Sequence, residues 1–399
     1  MQNTPKSLRL QIGIFGRANV GKSTLINVLT NQYVAITSPV MGTTTDAVEK
    51  SMELHPIGPV TFIDTAGIDD KSELGLERTE RTLAIISRCD VAILVCDYSG
   101  WGRYETDLYL RLKEAKVPVI AVVNKIDEKS ISQKNYSKIR EYCPEPILTS
   151  LTNNKSVIDE VKSQIIKNLP SDFVENQSII GDLINSGDTV VLVTPIDKEA
   201  PKGRLIMPQV QLLRDILDHD AKAIVVKETQ LQSALLSLNA QPALVVTDSQ
   251  IFSQVSEIVP SHIPLTSFSV LLARLKGDLK TFINGANAIS LLPNGSRILI
   301  AESCTHHAID DDIARVKIPM WLKERTGKDF VYEYVRGHDF PKNLSKYGLI
   351  IHCGGCMTNK REILSRVYLA NSQGIPITNY GVVIAYCKGV LSRSVSILN

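Results

Sequence analysis

The run Gly16-Arg17-Ala18-Asn19-Val20-Gly21-Lys22-Ser23 fits the pattern G-x-x-x-x-G-K-[ST]. It restricts the fold more than any other stretch of the chain. Such a loop holds phosphate when it joins a strand to the N-terminus of a helix. An apolar run precedes it here and the helical run Ser23–Leu29 follows. Glycines let backbone N–H groups turn inward around phosphate oxygens. Gly16, Asn19, Val20, Gly21, Lys22, Ser23 and Thr24 are the expected phosphate-binding set. Lys22 is expected to reach the outer phosphates and the Ser23 hydroxyl to bind Mg²⁺.

Residues 8–170 alternate strand-like and helical stretches. Leu8–Phe15, Val60–Asp64, Val91–Asp97, Val117–Asn124 and Pro146–Thr149 read as strands. This alternation predicts a parallel sheet wrapped by helices, and Leu169–Asn176 reads as a linker. A second block begins at Thr189–Pro195. It continues with helix Met207–His219, strand Ala223–Val226, helix Gln230–Leu238, strand Ala243–Thr247 and helix Ile251–Ile258. A long helix, Ser269–Asn287, leads into a third block. That block holds strand Arg297–Ala301, helix Asp311–Thr326, strands Phe330–Val335 and Leu349–His352, helix Lys360–Gln373 and strand Ile375–Thr378. The expected fold is α/β: a P-loop domain over 1–172, which the segments below make a P-loop GTPase domain, then two further α/β domains with mostly parallel sheets, over 178–265 and 266–399.

Three further segments point to guanine. Asp64-Thr65-Ala66-Gly67 ends a strand, where Asp64 would hold Mg²⁺ through water and the Gly67 N–H would face a γ-phosphate. Asn124-Lys125-Ile126-Asp127 also ends a strand. The Asp127 carboxylate can accept two hydrogen bonds from guanine N1–H and its exocyclic amine, a pair of donors that adenine lacks. Ser150-Leu151 ends the next strand and offers a backbone N–H to guanine O6. An ordinary turn explains any one segment; their order and their places at strand ends make the set informative.

The set resembles translation-factor-type GTPases, and within them the Era/TrmE-like group. Gly42-Thr43-Thr44-Thr45-Asp46 resembles that group's first switch, which implies that Thr44 binds Mg²⁺. Ile68 follows Asp-Thr-Ala-Gly where Ras-like enzymes have a water-orienting Gln. Asn19 stands where potassium-activated members of the group bind K⁺. The resemblance therefore implies slow, K⁺-stimulated hydrolysis of GTP that depends on Lys22, Thr44, Gly67 and Asn19. Asp69, Asp70 and Glu73 are weak candidates for orienting water and read more simply as an acidic switch loop.

Outside this domain the informative residues are Cys304, His306, His352, Cys353 and Cys356, in the pattern C-T-H then H-C-G-G-C. Two of the groups follow strands, and ligands at the carboxyl ends of strands can converge in one crevice. Gly354 and Gly355 would let the loop curl so that Cys353 and Cys356 point at one ion or cluster. A redox disulfide, a structural zinc site and an iron–sulfur cluster with one exchangeable corner all remain open, because spacing does not separate zinc from iron. Cys89, Cys96, Cys143 and Cys387 lie beside apolar residues and read as core thiols.

A GTPase domain of this type, a small α/β domain and then C-x-H…H-C-x-x-C resemble the HydF family, GTPase scaffolds of FeFe-hydrogenase maturation. The resemblance spans essentially the whole chain, including Glu302–Pro319. It implies a 4Fe–4S cluster on Cys304, Cys353 and Cys356. The fourth position would be open or held weakly by His306, His352 or a carboxylate such as Asp310 or Asp311, although acids at 310–312 also suit a helix start. It implies a di-iron precursor received from radical-SAM maturation enzymes and delivered to apo FeFe-hydrogenase. It also implies a homodimer built through the middle domain, by pairing of an exposed sheet edge.

That middle domain shows no catalytic constellation, and Pro201-Lys202-Gly203-Arg204 reads as a basic loop rather than a phosphate turn. The chain carries 44 Lys plus Arg against 42 Asp plus Glu, a net charge of +2. The near-balance argues against a nucleic-acid partner. It weighs against the alternative of an RNA-directed GTPase, of tRNA modification or ribosome assembly, with a structural zinc site. No apolar run of about 18 residues suggests a membrane partner, and the N-terminus does not read as a signal peptide. A cytoplasmic, reducing location is expected, where the seven cysteines are thiols or metal ligands.

Overall fold

The computed structural model describes residues 9–31, 48–54, 57–65, 82–151, 157–169, 178–196, 203, 205–302, 312–355 and 358–398. The chain divides into two compact units, Met1–Asn176 and Gln177–Asn399.

The first unit is built on six strands: β1 (Leu10–Phe15), β2 (Val48–Leu54), β3 (Gly58–Asp64), β4 (Val91–Asp97), β5 (Val119–Asn124) and β6 (Ile147–Leu148). Their order is β2-β3-β1-β4-β5-β6. All pairings are parallel except β2 with β3. Successive side chains of a strand point to opposite faces, and both faces are covered here. Ile12 and Ile14 of β1, Ile93 and Val95 of β4 and Val122 of β5 enter one core with Leu25, Ile26 and Leu29 of the helix Lys22–Asn31. Phe15, Leu94, Cys96 and Val123 enter the other with Leu108 and Leu112 of the helix Arg103–Glu114. This is the two-sided burial that parallel sheets need. β2 was not legible as a strand in the sequence; it lies at the sheet edge and carries Glu49, Lys50, Ser51 and Glu53 among its residues.

The second unit holds two four-stranded parallel sheets. One contains β7 (Thr189–Val193), β8 (Lys222–Val226), β9 (Leu244–Thr247) and β10 (Leu265–Ser267), in the order β10-β9-β7-β8. The other contains β11 (Arg297–Glu302), β12 (Val331–Arg336), β13 (Leu349–His352) and β14 (Ile377–Asn379), in the order β12-β11-β13-β14. Both are wound alike: the second strand lies on one side of the first, and the third and fourth lie on the other. The chain thus changes direction between β7 and β9, and again between β11 and β13.

Two expected helices are divided. The long helix Ser269–Asn287 is two helices, Phe268–Lys276 and Leu279–Ala288. Gly277 is extended and closes the first; Asp278 starts the second by accepting from the Thr281 amide at 3.1 Å. The helix expected over Asp311–Thr326 is a π-helical turn, Ile313–Lys317, followed by the α-helix Ile318–Thr326 with a proline in its first turn. Pro319 has no N–H to continue the ladder from the preceding turn.

Residues 391–398 return to the middle sheet. The Thr266 hydroxyl donates to the Ser394 carbonyl at 2.7 Å. Arg393 donates to the carbonyls of Ser256, Val259 and Pro260. Ile397 and Leu398 pack against the core of Val190, Leu192 and Leu244.

Candidate functional site

The loop after β1 is arranged around one lysine. Lys22, in the first turn of its helix, is buried, and its Nζ donates to the carbonyls of Gly16 at 2.7 Å and Arg17 at 2.8 Å. Gly21 has φ 103°, and a Cβ there would lie 2.3 Å from Asn124 Nδ2; only glycine allows that approach. Asn19 takes φ 64°, a left-handed conformation that asparagine tolerates better than most residues. The Ser23 hydroxyl donates to Asp64 Oδ2 at 3.0 Å. This pair of hard oxygen donors fits Mg²⁺. The Thr65 hydroxyl donates to the Ile14 carbonyl at 2.7 Å and ties β3 to β1 beneath the loop.

Asn124 joins the phosphate side to the base side. Its Nδ2 donates to the Val20 carbonyl at 2.9 Å, and its Oδ1 accepts from the Leu151 amide at 3.1 Å. A cleft of about 610 Å³ runs between these segments, bordered by Asn19, Gly21, Lys22, Ser23 and Thr24 at one end and by Lys125, Asp127, Ser150 and Leu151 at the other. Asp127 is exposed to it.

One ion pair here carried no motif signal. Arg17 donates to Glu105 Oε2 at 2.5 Å, and Glu105 also accepts from the Gly102 amide at 2.8 Å. The Glu105 hydrogen bond holds the Arg17 guanidinium above its usual pKa. Thr44, Gly67, Ile68, Asp69, Asp70 and Glu73 lie outside the described residues.

In the second unit, β11 ends at Glu302 beside β13, with Ala301 in register with His352. Cys353 follows His352 directly, is half-buried, and donates its amide to the Ala301 carbonyl at 2.9 Å. It therefore sits at the carboxyl end of the sheet where the winding reverses, the usual position of a ligand crevice. Among the described residues nothing lies within 4 Å of a Cβ placed on Gly354. A soft thiol at such a strand end suits iron or zinc. Cys304, His306, Asp310, Asp311 and Cys356 lie outside the described residues, and among the described residues no three His, Cys, Asp or Glu side chains gather as a metal site.

His352 is buried and both its ring nitrogens are engaged. Nδ1 donates to the Cys353 carbonyl at 2.7 Å, and Nε2 accepts from Arg366 at 2.9 Å. Guanidinium only donates, so the neutral tautomer with the proton on Nδ1 is fixed by its partners. Neither nitrogen presents a lone pair to a metal in this arrangement. Arg366 also donates to Glu362 Oε1 at 2.6 Å and to the Gly337 carbonyl at 2.7 Å. Asp312 accepts from the Ala314 and Arg315 amides and caps the π-helical turn.

Cys89, Cys96 and Cys143 are buried, and Cys387 is half-buried. Burial pushes the thiols of Cys96, Cys143 and Cys387 up to about 12. Of Pro201-Lys202-Gly203-Arg204 only Gly203 is described. Among the described residues no helix is long and apolar enough to cross a membrane.

Comparison with known proteins separates the two units. GTPase Der of Chloroflexus aggregans is 35% identical over 187 residues, which are 42% of this chain and 41% of the relative. The tRNA modification GTPase MnmE of Prochlorococcus marinus is 36% identical over 33% of this chain and 28% of its own length. GTPase Era of Halothermothrix orenii is 33% identical over 48% of this chain and 68% of its own length. The chain thus spans less than half the length of the first two. Residues 11–125 match the family described as 50S ribosome-binding GTPase. Residues 179–277 match the hydrogen maturase F dimerization domain, and residues 280–397 match its tetramerization domain. With an Era/TrmE-like GTPase domain in front of both hydrogen maturase F domains, the chain belongs to the hydrogen maturase F family of hydrogenase-maturation GTPases.

Proposed function

We propose that this chain binds and hydrolyses GTP in its first unit and holds a 4Fe–4S cluster on Cys304, Cys353 and Cys356 in its second. It acts as scaffold and carrier for a di-iron precursor, which it receives from radical-SAM maturation enzymes and delivers to apo FeFe-hydrogenase. The observation that carries this reading is the position of Cys353 at the β11/β13 switch point, next to the strand that leads to Cys304.

In the first unit Lys22 neutralises the outer phosphates, and Asp127 selects guanine by accepting from N1–H and the exocyclic amine. Ser23, Thr44 and Asp64 would hold Mg²⁺, and Asn19 would hold K⁺. Bound there, the two cations would supply positive charge against the developing charge of the γ-phosphoryl group. Loss of the γ-phosphate releases the Thr44 and Gly67 segments, and that release is the switch.

In the second unit the three thiolates anchor the cluster. The fourth position is left to His306, to Asp310 or Asp311, or to the cargo itself; His352 is already committed to Arg366. The chain works as a homodimer, through the domain at 179–277, in the cytoplasm.

Anaerobic purification with iron and sulfide analysis and EPR after reduction tests the reading. About four irons and four sulfides per chain, lost in Cys353→Ala, are expected. Zinc in place of iron overturns it.

A further inference from the structure

Lys276 closes the helix Phe268–Lys276 and is only 4% exposed. Its Nζ donates to the carbonyl of Gly355 at 2.8 Å, across 79 residues of sequence. Gly355 stands between Cys353 and Cys356. Its carbonyl also accepts from the Thr358 amide at 3.2 Å. Its φ is 65°, and a Cβ there would lie 2.5 Å from Ile363 Cδ1. The helix Lys360–Ser372 thus closes one side of the loop through Ile363, while the amine fixes the central peptide.

A buried ammonium acts on nearby charge more strongly than one in water, because the interior screens it less. Thiolate ligands on either side of Gly355 would bring negative charge to that place. Iron–sulfur potentials follow the net charge, hydrogen bonding and burial around the cluster.

We infer that Lys276 is the positioning residue of the cysteine loop: its ammonium orients the Gly355 peptide and offsets the thiolate charge of a cluster held there. The inference rests on the cluster reading above. It assigns to the middle helix a part in setting the cluster's potential, although that helix contributes no ligand.

The test uses full-length protein reconstituted anaerobically as wild type, Lys276→Met and Lys276→Arg. The readouts are the midpoint potential from EPR-monitored titration and the rate of iron release to a chelator. Lys276→Met is expected to move the potential to more negative values, with at least a tenfold fall in the equilibrium constant for one-electron reduction, about 59 mV. Its iron release is expected to be faster. Lys276→Arg should recover most of both properties. Loss of cluster uptake in Lys276→Met with recovery in Lys276→Arg also supports the inference. A potential unchanged in Lys276→Met, or a Lys276→Arg no better than Lys276→Met, overturns it while the cluster reading stands. A wild-type protein that takes up no iron overturns both.

Discussion

The guanidinium of Arg366 donates to Nε2 of His352 across 2.9 Å inside the second unit. A ring held this way orients the strand end that carries Cys353 rather than offering an electron pair. His352→Asn is therefore expected to retain the iron content of the wild type. Arg366→Met removes the donor to His352, Glu362 and the Gly337 carbonyl, while His338 stays 3.0 Å from Glu362, and should destabilise the unit by about 1–3 kcal/mol. Urea unfolding followed through Trp321, in a Trp101→Phe background, reports it, since these are the two tryptophans of the chain. Iron loss in His352→Asn with an unchanged fold would show that the ring does ligate.

Asn124 couples the two ends of the nucleotide cleft. Asn124→Ala removes the donor to Val20 and the acceptor for Leu151. Each group left unpaired and buried costs about 1–3 kcal/mol. Affinity for a fluorescent GDP analogue is expected to fall at least tenfold. A change under twofold would mean that the loop positions itself without this tie.

Asn19 allows backbone and side chain to be separated. Asn19→Gly keeps the left-handed conformation and removes only the amide. GTP hydrolysis should be faster in K⁺ than in Na⁺ for the wild type and equal in the two salts for the variant, with GDP affinity preserved. Equal wild-type rates in both salts would remove potassium from the mechanism.

The buried thiols give a pH dependence of definite sign. Cys96 and Cys143 are held near 12 in the folded chain against an ordinary value of 9.0. Below about 9 both folded and unfolded thiols keep their protons and the stabilisation is complete. Above it the unfolded chain releases protons first, so stability falls as pH rises towards 12. The fall approaches about 1.4 kcal/mol per thiol for each pH unit. Urea midpoints at pH 8 and pH 10 measure the slope, and Cys143→Ala should flatten it.

The nucleotide site was legible because its residues stand at the ends of apolar strands, where one motif predicts the next. Lys22, Ser23, Asp64, Asn124 and Leu151 are joined by short hydrogen bonds or border one cleft. The pattern was weaker wherever burial was incomplete or unbroken. β2 mixes charges into an edge strand, and β10 has three residues. The helix Tyr380–Cys387 (YGVVIAYC) has almost no polar face from which to read a helical period. The Gly277-Asp278 break was hidden because apolar residues continue on both sides of it. Lys276 and Arg366 gave no signal at all: each shares its helix with other basic residues, Arg274 in one and Lys360 and Arg361 in the other, and reads as a surface charge until the fold shows what it touches.

Residues 391–398 complete the core of the middle sheet after the whole of the third sheet has been made. The middle body therefore lacks part of its core until residue 398 has been made, although its last strand ends some 130 residues earlier, at Ser267. In order of synthesis the cysteine-bearing body is an insertion between two parts of its neighbour. A chain that stops before residue 391 therefore leaves Val190, Leu192 and Leu244 without Ile397 and Leu398 against them, an incomplete core of the kind that favours aggregation.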